Sequence, residues 1–275
     1  MKISEVIARI KESHKPQEES TCDVVKCGDP EQECTGVLVT CFASVEVIRA
    51  AIEQHANLIV VHEPLFWNHE EETDWIKDSK IFREKADLLK QGNIVVWRDH
   101  DYIHGGPPME MGRSLPDEIF CGIAQELGWE RYVSNTPLKP LVFQIPATDA
   151  QTLGLMLKEK LGLNGIRIIG DKTADVTTVF ICEHLWGNEH DLEKIRRIES
   201  EGAQAILPLE IVDWTLCAYI RDCCQLGEKK VVYNLGHFNF EELGMKYLAR
   251  KIPDLIDHAV QVTYMNSGDS FDFIV

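Results

Sequence analysis

The stretch Ala56–Leu65, ANLIVVHEPL, reads as a buried strand that ends on a histidine and a glutamate, and Ala203–Val212, AQAILPLEIV, repeats the pattern in the second half of the chain. Each begins with an alanine after a helical segment, runs through four residues suited to a covered strand, and then delivers a glutamate, Glu63 or Glu210. The next strands repeat as well: Ile94–His100, IVVWRDH, corresponds to Lys230–His237, KVVYNLGH, and both finish on a histidine. Short apolar runs that lack alternation fit parallel strands covered on both faces. Open parallel sheets collect ligands beyond the carboxyl ends of their strands. Both halves therefore aim polar residues where a site belongs.

Working outward, short apolar runs alternate with helical patterns along the chain, the signature of an α/β protein. Strands are predicted at 37–41, 58–61, 94–97, 141–145, 166–169, 176–182, 205–207, 231–233 and 259–264. Ile3, Val6, Ile7 and Ile10 make the first segment an amphipathic helix. Ser44 and Asp149 are placed to cap helices, the second reaching about Leu161, and further helices are predicted over 189–201, 211–226 and 241–252. The seam falls at Ser134–Pro140, SNTPLKP, which divides the chain into lobes 1–133 and 134–275. The architecture expected is α/β, two pseudo-symmetric lobes with mixed sheets that share N-terminal elements if they pack as one unit.

The 275 residues carry a formal charge of −17, with 45 acidic against 28 basic side chains. That balance repels phosphate backbones and anionic lipid, so nucleic acid is an unlikely partner and a membrane surface is disfavoured. No apolar run approaches the ~18 residues of a membrane span. Nine cysteines, none in a C-x-x-C pair, fit reduced thiols and a cytoplasmic location. A structural zinc site within Cys22–Cys34 is a minor alternative to ordinary thiols.

Three clusters at strand ends carry metal-binding chemistry. His62 and Glu63 point in different directions, so they can serve two ions, or one ion and a water. Arg98-Asp99-His100-Asp101-Tyr102-Ile103-His104 offers imidazole and carboxylate donors suited to Zn, Mn, Fe or Co. His237 and Glu241 lie one helical turn apart if a helix begins there. A polar loop is the bland alternative for each, but three such clusters at strand ends weigh together. His14, His55, His69, His184, His190 and His258 lack such company and read as ordinary, and no cysteine falls within the clusters. Phosphate-binding loops, the dinucleotide-binding glycine turn and the nucleophile elbow are all missing from the sequence.

These residues resemble the NIF-three-like family, also called GTP cyclohydrolase 1 type 2 homologues. The likeness runs through CGDPEQECTGVLVTCFAS, HANLIVVHEPLFW and GNIVVWRDHDYIH, then LGLNGIRIIGDKTADVTTVFIC, EGAQAILPLEI, LGHFNFEELG and the terminal SFDFIV. The resemblance implies the short form of a two-lobed α/β fold, with a two-metal site in the cleft between lobes and a hexameric ring. The family's paired histidines appear as His62 and Glu63, and its H-x-x-x-D appears as His100 with His104 in the aspartate's place. Its GH-x-x-x-E is intact as His237 and Glu241. One exchange compensates the other, so the tally of four histidines and two carboxylates is preserved, and Asp99 and Asp101 stand in reserve.

The function this implies is a metal-dependent hydrolase with two divalent ions per subunit, Zn, Fe or Mn, activating a water. Attack on the C8 carbon of a guanine nucleotide is the cyclohydrolase version, with Glu63 or Glu210 as the acid/base. Arg98, Trp67, Tyr102 and Phe238 adjoin the clusters and are candidates to contact substrate, although aromatic residues at such places more often pack. The alternative is a metal-trafficking or regulatory protein without turnover.

Overall fold

The computed structural model describes residues 1–17, 21–69, 72–106, 117–134 and 141–274. The chain forms two compact units, Met1–Ile123 with Glu241–Ser267, and Ala124–Phe240 with Gly268–Val275. The expected seam at 134–140 falls, apart from Ser134, outside the described residues.

The first unit is built on a five-stranded sheet in the order β1-β4-β3-β2-β10, formed by β1 (Val25–Cys27), β2 (Val37–Thr40), β3 (Leu58–Val61), β4 (Val95–Arg98) and β10 (Val262–Tyr264). β10, β2, β3 and β4 run parallel, and β1 pairs antiparallel with β4. Every residue of β2, β3 and β4 is buried, which explains why their sequences are apolar without alternation. Helices α1 (Ile3–Glu12), α2 (Val45–Glu53) and α3 (Lys80–Gln91) accompany this sheet, and the short α4 (Asp101–Gly105) follows β4. Ile3, Val6, Ile7 and Ile10 of α1 are buried as the periodicity predicts, and the Ser44 hydroxyl caps α2 by accepting from the Val47 amide. Val47, Ile48 and Ala51 of α2 join Ile59, Val61 and Val96 in one apolar cluster.

The second unit repeats the plan. Its strands β5 (Val142–Asp149), β6 (Arg167–Gly170), β7 (Asp175–Glu183), β8 (Ala205–Pro208) and β9 (Val231–Asn234) form a sheet in the order β5-β7-β8-β9-β6. β7, β8 and β9 are parallel, while β5 and β6 pair antiparallel at the two edges. The trio β7-β8-β9 thus matches β2-β3-β4 in direction and order, with β6 beside β9 as β1 is beside β4. Helices α6 (Ala150–Leu161), α7 (Asp191–Glu201) and α8 (Leu216–Gln225) connect these strands, with Asp149 capping α6 through the Thr152 amide. Two helices cross the division of the chain: α5 (Glu118–Leu127) and the 19-residue α9 (His237–Leu255).

Three sequence expectations shift. α8 begins at Leu216 rather than near Ile211, because Glu210–Thr215 runs as a loop and Thr215 takes a left-handed φ of 53°. β10 is confined to three residues of the predicted 259–264. α9 starts at His237 instead of Glu241, which places His237 and Glu241 one turn apart on a helix. No described helix is long and apolar enough to cross a membrane.

Candidate metal centres

In the first unit, β3 and β4 end side by side in parallel register, with Val61 opposite Arg98. The residues that follow each strand are thereby neighbours. The amides of His62 and Glu63 both donate to the Cys41 carbonyl at 3.0 and 2.9 Å, which fixes the turn after β3. His62, His100 and His104 converge, with one potential donor atom from each within 4.8 Å of the others. The His62 ring stacks on His100 at 4.8 Å between centroids, and both meet the His104 ring edge-on.

The three imidazoles are held in the same manner. His62 Nδ1 lies 3.0 Å from the Asp99 carbonyl, His100 Nδ1 lies 2.9 Å from Asp101 Oδ1, and His104 Nδ1 lies 2.6 Å from Asp117 Oδ2. An Nδ1 proton bound to oxygen leaves Nε2 as the lone-pair nitrogen, the usual support of a metal-binding histidine. His62 Nε2 is fully buried without a hydrogen-bond partner and lies 3.4 Å from Glu241 Oε2. Burial drives the His62 pKa down to about 3, so its ring is a neutral donor at physiological pH. These features fit a divalent ion of the Zn, Mn or Fe class. His104 differs: burial opposes its charge, but the hydrogen bond and charge of Asp117 outweigh that and push its pKa up to about 9.

Two further carboxylates position this donor set, and composition alone did not single them out. Buried Asp23 accepts the backbone amides of His100, Asp101 and Tyr102 at 2.8, 3.0 and 2.7 Å, clamping the start of α4. Asp117 orients His104, as above. Asp101, held in reserve as a ligand, is occupied with His100, the Thr21 hydroxyl and the Cys22 amide. Asp99 is fully buried with neither carboxylate oxygen hydrogen-bonded, and burial lifts its pKa to about 7. It belongs to no three-donor group among the described residues.

Two sequence expectations are corrected here. Arg98 is fully buried, donating from Nε to the His62 carbonyl at 3.0 Å and from Nη1 to the His69 carbonyl at 2.9 Å, so it braces the turn and is closed to substrate. Its other nitrogen stands 3.9 Å from Glu63, itself buried. A cysteine does enter the cluster: Cys22 offers its sulfur within 4.8 Å of donor atoms of His100 and Asp101. Burial raises that thiol's pKa to about 12 and keeps it protonated. Among the described residues no three-donor group contains two cysteines of the Cys22–Cys34 stretch. Of the aromatic candidates, Trp67 is half exposed with Lys85 5.5 Å from its ring, and Tyr102 lies under Lys11 at 5.0 Å.

The second unit holds its own donor group, at the ends of β7, β8 and β9. His184 Nδ1 approaches Glu210 Oε1 at 3.0 Å, and His237 Nδ1 approaches Glu210 Oε2 at 3.3 Å. The two rings are 5.1 Å apart between centroids. Burial opposes the Glu210 charge, but the two histidines overcome it and hold its pKa down to about 2, so it remains a carboxylate. His184 reads as ordinary in the sequence despite Cys182 and Glu183 before it, because only the pairing of β7 with β8 brings it to Glu210. Phe238 follows His237, with ring centroids 6.0 Å apart.

Residues 1–107 match the family model of Duf34/NIF3 (NGG1p interacting factor 3). Among solved structures, a Bacillus cereus protein related to NIF3 superposes with a TM-score of 0.71 at 14% identity, over 100% of this chain and 99% of that one. The Staphylococcus aureus protein SA1388 superposes with a TM-score of 0.69 at 16% identity, over 100% and 99%. Reduced HcgD from Methanocaldococcus jannaschii gives 0.62 at 15% identity, over 97% of each chain. At such identities the likeness is one of fold. No curated protein matches the chain.

Proposed function

From the match of residues 1–107 to the Duf34/NIF3 family model, we propose that this chain belongs to that family and is a metal-dependent hydrolase with two divalent ions per subunit. The observation that carries this reading is the trio of imidazoles at His62, His100 and His104, each anchored through Nδ1 to an oxygen, with one donor atom from each residue within 4.8 Å of the others. Glu241 brings a carboxylate 3.4 Å from His62 Nε2, and His237 is the resemblance's ligand for the second ion. When bound, such ions act as Lewis acids and lower the pKa of a water toward 7.

The chain's own residues supply the remainder. Asp23, Asp101 and Asp117 hold the rings in place, and neutral His62 keeps its lone pair available. Glu63 and Glu210 are the acid/base candidates, and Glu210 is the one whose anionic state is secured at neutral pH. The proposed substrate is a heterocycle such as a guanine nucleotide opened at C8. The assembly that accompanies this reading is a closed homo-oligomer, a hexamer.

One observation favours a second reading. The group His62, His100 and His104, with Glu241 Oε2 3.4 Å from His62 Nε2, offers enough protein donors to hold a metal rather than employ it. A metal-trafficking protein without turnover would need no more. The test is metal analysis of protein purified without added ions, followed by GTP turnover before and after chelation. Metal-dependent loss of the guanine absorbance, abolished in His62→Ala, is the expected result. A loaded protein that leaves GTP and other nucleotides intact would overturn the hydrolase reading and favour the second one.

A further inference from the structure

We propose that His184, Glu210 and His237 form a metal centre of the second unit, and that its open side binds a planar organic anion in the adjoining cavity. This rests on the two-ion part of the reading above, but every residue it uses belongs to the second unit.

The spacing of the donors is the first argument. Ligands bound about 2.0–2.2 Å from one ion stand roughly 3.0–3.5 Å from each other at tetrahedral or octahedral angles. Glu210 Oε2 stands 3.2 Å from His184 Nδ1 and 3.3 Å from His237 Nδ1, both in that interval, and one donor atom from each of the three residues lies within 4.8 Å of the others. A carboxylate flanked by two imidazoles is a common mixed N/O set for a divalent transition ion.

The second argument is that the loops carrying His184 and Glu210 are tied together by one buried group. Asp191 is fully buried and accepts from the amides of Trp186 and Gly187, both at 2.9 Å, and from the Thr215 hydroxyl at 2.5 Å. It thereby ties the loop after β7 to the loop after β8. Glu183 and Thr215 adopt left-handed φ values of 56° and 53°, a costly state for a β-branched threonine. Gly187 has a φ of 68°, and a Cβ there would meet the Trp214 indole at 2.5 Å, so glycine is what lets Trp214 seat against this loop.

The third argument is the cavity. It measures about 540 Å³, and Glu210 and His237 line it with Arg167, Asp213, Trp214 and Phe271. Trp214 and Phe271 are each about half exposed (56% and 50%), offering flat apolar faces. The Arg167 side chain has no ion-pair or hydrogen-bond partner among the described residues, although acidic groups outnumber basic ones across the chain. Its charge with those of Glu210 and Asp213 sums to −1 when both histidines are neutral, and to +1 once a divalent ion is present. Anion binding should therefore require the metal.

Cobalt(II) titration followed by its visible absorption, with phenylphosphonate as the anionic probe, tests both parts. Wild type should take up two ions, and His184→Asn and Glu210→Gln should each lose one while His62→Ala loses the other. Phenylphosphonate should quench tryptophan fluorescence in the loaded protein only, and Arg167→Met should bind cobalt normally but the probe about tenfold more weakly. Thermal melts of the variants report whether each has folded. Full cobalt stoichiometry at wild-type affinity in folded His184→Asn and Glu210→Gln overturns the centre, even when His62→Ala loses an ion and the first-unit reading stands. Unchanged probe affinity in Arg167→Met, or equal binding by chelated protein, overturns the anion site. Loss of an ion in His184→Asn but none in His62→Ala would instead sustain this inference and remove the first-unit reading.

Discussion

His104 carries a proton that the proposed metal would have to displace. Burial alone would strip it, yet Asp117 at 2.6 Å raises the ring's pKa to about 9. Below that pH the ion competes with a proton, so metal affinity should rise with pH, about tenfold per unit where one proton leaves. Asp117→Asn should move the break in that profile down toward the ordinary imidazole value of about 6.5. Zinc competition titrations across this range provide the check, and a break that stays put would refute the assignment of the proton to His104. The same shift acts on the metal-free fold. A raised folded-state pKa contributes stability that is full below about pH 6.5 and is lost as pH climbs through about 9. The loop residues thus couple metal, proton and fold at one side chain.

At the scale of elements, the donors are set by how strands end and how helices begin. β3 and β4 are short, fully buried and parallel, so the residues after them have few other places to go. Helix α9 brings Glu241 to His62, and its position in the first unit depends on a close approach to the start of α5. A Cβ on Gly244 would stand 2.8 Å from the Ile119 Cα, and one on Gly122 would stand 2.8 Å from the Gly244 Cα. Backbone atoms cannot rotate away as a long side chain can. Gly244→Ala should therefore destabilise the protein by about 1–3 kcal/mol, the usual cost of overpacking. A thermal melt of the metal-free variant measures it, and a midpoint equal to wild type would show that the helices separate freely. Weaker metal binding should accompany the loss, since Glu241 rides on the same helix.

On the scale of the whole molecule, the proposed hexamer and the charge of −17 must coexist. Like charge opposes association, so subunit contacts should rest on apolar surface, which salt does not weaken. Light scattering at micromolar concentration should return six times the 31.3 kDa of one chain, unchanged between low and high salt. A mass of one chain at both would remove the ring, and dissociation by salt would show the contacts to be ionic.

The sequence by itself determined the strands that carry the clusters, because a run of four apolar residues between helical patterns is a local signal. Leu58–Val61 is read to the residue, and Ser44 and Asp149 cap as their side-chain chemistry dictates. His62, His100, His104 and Glu241 were also legible, since imidazoles and carboxylates after such strands have a chemical reason to be there. Tertiary structure decided the rest. β1 is three half-buried residues that exist as a strand only by pairing with β4, and α3, amphipathic but mostly polar, does not stand out as an apolar segment. Asp23 reaches the amides of α4 across 77 residues of chain, and Arg98 is turned inward by carbonyls that no spacing announces. His184 meets Glu210 across 26 residues for the same reason. Periodicity records which face a residue presents along its own element, whereas the partner that orients a ring is chosen by which strand ends the sheet sets side by side.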